Sequence, residues 1–121
     1  MPETYINPSR AQLEALQKLE LDGPLVMVNL LKFNPDGGAE AYARYGQQAA
    51  PFIAEVGARV RYLGRVAATV IGGEEWDEVI LVEYPSKAAF LRMTQNPDYP
   101  SGVRAGALLD SRLYCTQEAS P

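Results

Sequence analysis

A few side chains in this sequence have types and positions suited to chemistry on a small molecule. Asn29 lies inside the apolar run PLVMVNLLKF, residues 24–33, where burial of an unpaired amide would cost ~1–3 kcal/mol. Arg104 and Tyr99 lie in NPDYPSGVRAG, a connecting segment of the kind that often carries function. The planar guanidinium of Arg104 suits a carboxylate or a phosphate group.

Aromatic residues and one carboxylate complete the set of candidates. Tyr42 and Tyr45 are three residues apart in a helical pattern, so their rings can share one face. Asn29 and Arg104 would hold negative charge developing on an oxygen, and Tyr42 or Asp77 would move a proton. The catalytic candidates are therefore Asn29, Tyr42 and Arg104, and the substrate-binding candidates are Phe33, Tyr45, Asp77 and Tyr99.

Each candidate also has a purely structural interpretation. In this interpretation Asn29 satisfies a neighbouring backbone group, or pairs across a dimer and fixes its register. Arg104 forms an ion pair with Asp98 or Asp110. The two helical tyrosines pack in the core, and Asp77 caps a local turn.

The amino-acid composition excludes several kinds of site. The 121 residues contain no histidine, which removes Ser-His-Asp and Cys-His catalysis as well as histidine-ligated zinc or haem. The sequence therefore predicts no metal and no cofactor. The formal net charge is −4 and the basic residues are scattered, so a nucleic-acid partner is not expected.

The same inspection predicts a cytoplasmic protein without a membrane anchor. No apolar run approaches the ~18 residues of a transmembrane helix, and the first ten residues do not resemble a secretory signal. The single cysteine, Cys115, forms no internal disulfide, which fits a reducing compartment. In the last predicted strand a free cysteine is expected to be a small buried hydrophobe.

The chain has the size of one domain, 1–121. A leading helix is predicted at about 8–20, and the core at 24–117. Within that core we predict strands at 24–33, 59–72, 76–84 and 108–117, helices at 39–56 and from 86 to Pro97, and an irregular or partly helical segment at 98–107. The order β-α-β-β-α-β predicts an α+β, ferredoxin-like antiparallel sheet.

Both faces of this predicted sheet are apolar. In the first strand Leu25, Met27, Asn29, Leu31 and Phe33 share one face, while Val26, Val28 and Leu30 share the other. Helices cover one face, and an apolar patch on the second rarely stays in water. We expect a second copy of the chain to cover it, giving a sheet-to-sheet homodimer; the alternative is coverage by the leading helix.

The second strand carries two further signals. Gly64 in its middle predicts a bulge or the close approach of another backbone. Arg59, Arg61 and Arg65 are expected to project from one face of this strand, where charges on an edge strand discourage pairing with other chains.

Several segments together resemble one known family. DGPLVMVNLLKF, GARVRYLGRV, WDEVILVEYPSKAAFLRM, NPDY and DSRL are similar to the domain of unknown function 1330, within the dimeric α/β-barrel superfamily, over about residues 22–114. The resemblance implies two ferredoxin-like sheets paired into a barrel, with a cleft between sheet and helices in each subunit. One departure is Val103, where the family often has a histidine before the arginine that corresponds to Arg104.

That superfamily includes metal-free monooxygenases, haem-degrading enzymes, lactone isomerases and haem peroxidases, whereas this family has no agreed reaction. We therefore expect a protein that binds or transforms a small, partly apolar, anionic molecule in the cleft. An enzyme of this kind would be a metal-free, haem-free monooxygenase or isomerase. The alternative is a non-catalytic, ligand-binding or stress-related dimeric module.

Overall fold

The computed structural model of the chain describes residues 3–120. Met1, Pro2 and Pro121, the ends of the predicted 1–121 domain, lie outside the described residues. The elements are α1 Arg10–Lys18, β1 Leu25–Phe33, α2 Gly38–Glu55, β2 Arg59–Arg65, β3 Glu78–Tyr84, α3 Lys87–Gln95, α4 Ser101–Ala107 and β4 Leu108–Thr116. Within 3–120, no helix is both long enough and apolar enough to cross a membrane.

The four strands form one antiparallel sheet in the order β2-β3-β1-β4. This is the predicted ferredoxin-like arrangement, with β1 and β3 in the centre. Asn29 of β1 lies opposite Ile80 of β3 and Leu113 of β4. The segment predicted to be irregular or partly helical contains α4, which leads directly into β4.

One face of the sheet is buried beneath the helices. Its central rows consist of alternate residues of the two middle strands: Leu25, Met27, Asn29 and Leu31 from β1, with Glu78, Ile80, Val82 and Tyr84 from β3. The period of two expected of a strand therefore places Asn29 among the core residues that face the helices.

The opposite face, which we call the open face, carries apolar side chains without a cover in this chain. Val26, Val28, Leu30, Val79 and Leu81 are half-buried, and Tyr62 and Tyr114 beside them are exposed. The leading helix does not cover this face, because Leu16 of α1 packs against the core on the other side. That alternative prediction is therefore wrong.

The second strand is shorter than predicted, ending at Arg65 rather than at residue 72. The Val66 N–H donates to the Asp77 carbonyl oxygen at 2.9 Å, and this bond closes a loop over residues 66–77. In this loop Val70 is 91% exposed and Ile71 is 94% exposed. Trp76 belongs to the loop, because β3 begins only at Glu78.

The register of β2 shifts between Val60 and Tyr62, so the bulge is at Arg61 rather than at Gly64. At Gly64 the close approach comes from a side chain, because the ring of Tyr62 lies where a Cβ would stand. The bulge also separates the arginines that were expected on one face. Arg61 pairs with Glu83, whereas Arg65 pairs with Glu78, a residue of the helix-facing side.

Cys115 is exposed, contrary to the expectation of a small buried hydrophobe. It belongs to β4, where it lies opposite Met27 of β1. Because β4 is an edge strand of the sheet, its outer residues have a strand neighbour on one side only.

Candidate functional site

The position of α2 over the sheet brings Tyr42 and Tyr45 into the core. The first residue of α2, Gly38, lies against the backbone that joins α4 to β4. A Cβ on Gly38 would stand 2.6 Å from the carbonyl oxygen of Ala107, so this close approach requires glycine. Both tyrosines are 7% exposed, because their spacing turns them towards the sheet.

Five rings form a connected group that we call the aromatic cluster: Phe33, Tyr42, Tyr45, Phe52 and Tyr99. Ring centroids are 5.7 Å apart for Phe33 and Tyr42, and 5.1 Å apart for Tyr42 and Tyr45. Tyr99 meets Tyr45 and Phe52 edge to face, a favoured aromatic geometry. The hydroxyls of Tyr45 and Tyr99 are hydrogen-bonded to each other.

Arg104 belongs to α4 and lies beside this cluster. Its Nη1 donates to the backbone oxygen of Ile6 at 3.0 Å. Among residues 3–120 it forms no ion pair with Asp98 or Asp110, and Asp110 is instead bound by Arg112 at 2.8 Å. The charge of Arg104 is therefore not neutralised by either of the carboxylates proposed as its structural partners.

Asn29 lies on the helix-facing side and is 9% exposed. Its Nδ2 donates to the carbonyl oxygen of Ile80 on the neighbouring strand at 3.3 Å. A role in fixing dimer register across the open face is therefore wrong, because the side chain points the other way. The amide nitrogen is satisfied by backbone, while the amide oxygen remains available.

Several polar atoms of this region lack a hydrogen-bond partner although their side chains are almost fully buried. These are the Oδ1 of Asn29, the carboxylate of Glu78 and the hydroxyl of Tyr84, whose residues are 9%, 8% and 4% exposed. Over the described chain, however, no buried side-chain nitrogen or oxygen is both fully enclosed and unbonded. Each of these atoms must therefore still touch solvent.

The Tyr42 hydroxyl is close enough to both Arg104 and Glu78 for their charges to affect its pKa. Burial raises the pKa of Tyr42 to about 12, the nearby Arg104 guanidinium opposes that rise, and the charge of Glu78 adds to it. Burial likewise raises the pKa of Tyr84, which is also within reach of the charge of Arg104. We use the word cleft below for the region between the sheet and the helices that contains Asn29, Tyr42, Glu78, Tyr84 and Arg104.

At neutral pH the tyrosines of the cleft are uncharged hydrogen-bond donors. Burial raises the pKa of Tyr45, Tyr84 and Tyr99 as well as that of Tyr42. None of them can therefore act as a phenolate base at neutral pH. Neutral hydroxyls beside an unneutralised guanidinium are suited to bind an anionic or developing negative oxygen.

Glu78 is a cleft residue that sequence reasoning missed. In the sequence it follows the acidic residues Glu74, Glu75 and Asp77, but it alternates with Ile80, Val82 and Tyr84 and so shares their buried row. Its Oε1 lies 3.7 Å from the Nε of Arg65. Burial raises the pKa of the Glu78 carboxyl, and the charge of Arg65 opposes the rise.

Asp77 lies at the end of the sheet, beside the backbone of Phe33. Its side chain is exposed, and its Oδ2 accepts from the backbone N–H of Phe33 at 2.8 Å. The backbone N–H of Asp77 in turn donates to the Leu31 oxygen at 2.8 Å. This carboxylate therefore ties the loop to β1, and the prediction that it caps a local turn is wrong because its partner is 44 residues away.

Two shallow concavities occur elsewhere on the surface. One, of about 490 Å³, lies under the 66–77 loop beside Trp76 and Val79. The other, of about 390 Å³, lies between α2 and α3 and is lined by Phe52, Val56 and Met93 among others. Neither concavity is lined by any of the sequence candidates.

Comparisons with known proteins agree with this architecture. The family model described as "Domain of unknown function (DUF1330)" matches residues 37–107. A protein of unknown function from Rhodopseudomonas palustris is 34% identical, with a TM-score of 0.90, over 98% of this chain and 100% of that chain. No curated protein matches the sequence.

More distant solved structures share the fold. A dimeric ferredoxin-like protein of unknown function from Jannaschia is 13% identical, with a TM-score of 0.63, over 79% of this chain and 100% of that chain. A Dabb family protein with a ferredoxin-like fold from Mesorhizobium loti is also 13% identical, with a TM-score of 0.60, over 82% and 100% of the two chains. These likenesses concern the fold alone.

Proposed function

The chain belongs to the family of the domain of unknown function 1330, and from the geometry of its cleft we propose that it binds or transforms a small, partly apolar, anionic molecule. The ligand would lie between the sheet and the helices. Arg104 and the hydroxyl of Tyr42 would receive its negative oxygen, while the rings of Phe33 and Tyr45 would contact its apolar part.

One observation carries this proposal: polar atoms line the cleft without protein partners. An unbonded amide oxygen, tyrosine hydroxyl and carboxylate in side chains no more than 9% exposed are unusual, because buried polar groups are normally hydrogen-bonded. Because each of these atoms still touches solvent, water rather than protein is its partner in the free chain. A ligand that carries both a hydrogen-bond donor and an acceptor oxygen could take the place of that water.

Binding of benzoate, a small apolar anion, tests this proposal. Benzoate is titrated into ¹⁵N-labelled protein, and the amide shifts of β1, α2 and α4 are followed by NMR. We expect Arg104→Gln to weaken binding about tenfold, since a charge-assisted hydrogen bond contributes ~1.5–3 kcal/mol. Arg44→Gln, on the exposed side of α2, is the matched control and should bind like the wild type.

Two outcomes would contradict the proposal. The first is the absence of any saturable shift up to millimolar benzoate. The second is an Arg104→Gln variant that binds as well as the wild type, or shifts that map to the open face instead of the cleft. Unfolding measured by urea on each variant separates lost binding from lost fold.

We also propose that the open face pairs with the open face of a second copy. Val28, Leu30 and Leu81 form an apolar centre, and charged residues such as Glu83 and Lys32 lie at its margin. An apolar centre with a polar rim is the usual anatomy of a stable interface. The Jannaschia neighbour is described as dimeric, which supports a dimer, though no particular interface, for this chain.

The proposed compartment is the cytoplasm. The exposed thiol of Cys115 is the only sulfhydryl of the sequence, and an exposed free cysteine persists best where reductants keep it reduced.

We propose no nucleic-acid partner, because Arg59, Arg61, Arg65 and Arg112 are all engaged with carboxylates and form no continuous basic surface.

A further inference from the structure

We propose that Glu78 is the proton acceptor of the cleft, and that the cleft takes carbonyl compounds that carry an acidic carbon-bound hydrogen. This inference rests on the proposed function, since it needs a ligand between the sheet and the helices. It adds the substrate class and a residue with a defined chemical role.

The first argument is the position of Glu78. It begins β3 in the row that faces the helices, opposite Leu31 of β1 and Arg65 of β2. Its side chain is 11% exposed, yet no residue within 3–120 donates a hydrogen bond to its carboxylate. Its oxygens still touch solvent, but a largely buried carboxylate without protein donors is less stabilised as an anion than an exposed one and is therefore a better acceptor for a proton.

The second argument is the charge around Glu78. Arg65 faces it from β2 at 3.7 Å, Asp77 precedes it in the chain, and the Tyr42 hydroxyl on α2 is within reach of its charge. Arg65 is 77% exposed, so water weakens its attraction for the carboxylate. The ion pair with Arg65 is therefore weak, and the Glu78 carboxylate can still accept a proton.

The third argument is that the polar groups near Glu78 on the helices are hydrogen-bond donors. Arg104 and the neutral hydroxyl of Tyr42 offer donors, whereas Glu78 offers only an acceptor. A carbonyl compound fits both kinds of group: its oxygen accepts from the donors, and its adjacent carbon gives a proton to Glu78. The electron pair of that C–H bond moves to form an enolate, whose oxygen the donors stabilise.

The reaction that follows needs no further reagent. In a carbonyl compound with a β,γ double bond, loss of the proton gives a dienolate; protonated Glu78 returns its proton to the γ-carbon, and the double bond moves into conjugation with the carbonyl group. The net reaction is an isomerisation in which one C–H bond breaks and another forms, with neither oxidation nor reduction. A base whose pKa lies closer to neutrality than that of an ordinary glutamate serves such a step well.

The test uses 5-nitrobenzisoxazole, a small aromatic probe that reports a base in an apolar site. A base removes its C3 proton, the C–H electrons form a nitrile, and the N–O bond breaks to release a coloured phenolate. We expect the wild-type protein to exceed the buffer rate about 10²-fold, the lower range of general-base catalysis. Benzoate should inhibit this reaction competitively.

Matched variants isolate the role of Glu78. Glu78→Gln should remove the acceleration, and Glu78→Asp, which keeps a carboxylate, should retain part of it. Glu75→Gln, an exposed neighbour in the 66–77 loop, should react like the wild type. Each variant is first checked by circular dichroism for an unchanged fold.

The outcomes distinguish this inference from the proposed function. If benzoate binds but the wild type shows no acceleration, or Glu78→Gln keeps it, the role of Glu78 is overturned and the ligand site stands. If benzoate does not bind in the cleft, both proposals are overturned. Loss of the acceleration in Glu78→Gln alone, with benzoate binding intact, supports both.

Discussion

The Nε of Arg65 lies 3.7 Å from the Oε1 of Glu78 across the β2–β3 pair, and the two side chains differ sharply in exposure, 77% against 11%. The guanidinium is hydrated while the carboxylate is largely shielded. A hydrated partner offsets little of the desolvation of a buried charge. Ionised Glu78 therefore destabilises the folded chain.

We predict that Glu78→Gln stabilises the protein at pH 7. Burial raises the pKa of Glu78, so the folded state binds this proton more tightly than the unfolded state. The favourable contribution is complete below the unfolded pKa, about 4.3, and is lost as pH rises through the folded pKa. Urea unfolding at pH 4 and pH 7 should show the gain of the variant only at pH 7. A variant less stable than the wild type at pH 7 would contradict this account.

The Tyr45–Tyr99 hydrogen bond predicts a non-additive double mutant. Tyr45→Phe or Tyr99→Phe should each lower the free energy of unfolding by about 0.5–1.5 kcal/mol, since each leaves one hydroxyl without its partner. The double variant should lose less than the sum, because the same bond is broken only once. Urea unfolding measures all three, with the exposed Tyr114→Phe as control. Strict additivity would show that the two hydroxyls do not interact.

Two glycines of α2 should respond to alanine with opposite signs. A Cβ on Gly38 would stand 2.6 Å from the Ala107 oxygen, which already accepts from the Asn34 N–H at 2.9 Å. Gly38→Ala should therefore lower the free energy of unfolding by about 1–3 kcal/mol. Gly46 has nothing within 4 Å of its Cβ position, so Gly46→Ala should raise it by about 0.5–1 kcal/mol. Equal effects at the two positions would refute the close contact.

The open face predicts the oligomeric state. Light scattering at micromolar concentration should give about twice the 13.2 kDa of one chain. Leu81→Lys should raise the dissociation constant roughly a hundredfold or more, because an unpaired ammonium would be buried in the interface. Leu19→Lys, at a 52% exposed position that directly follows α1, should leave the mass unchanged. A monomeric wild type would contradict sheet-to-sheet pairing.

Much of the fold could be predicted because its signals are local and periodic. The alternation of Leu25, Met27, Asn29 and Leu31 marks β1 and the face it buries, and the spacing of Tyr42 and Tyr45 marks the inner side of α2. The end of β2 could not be read in this way. Residues 66–71 remain β-branched and apolar, but the Val66–Asp77 hydrogen bond already closes the loop, and that pairing is set by tertiary structure.

The candidate site was predictable in part for the same reason. Ring partners such as Tyr45 and Tyr99 are 54 residues apart, yet both were candidates because of their residue type and the segments that carry them. Glu78 was missed because its neighbours Glu74, Glu75 and Asp77 suggest a solvated acidic run. Its alternation with Ile80 and Tyr84 was the stronger signal, since strand geometry decides which side chain is buried.

The stacking of Trp76 has a practical consequence for spectroscopy. Trp76 is the only tryptophan of the sequence, and the Cζ of Arg112 lies 5.0 Å from its ring and 4.9 Å from that of Tyr5. All tryptophan fluorescence therefore comes from one point in the 66–77 loop, beside a cation. Emission should respond to release of the N-terminal segment that carries Tyr5, and to separation of the proposed dimer.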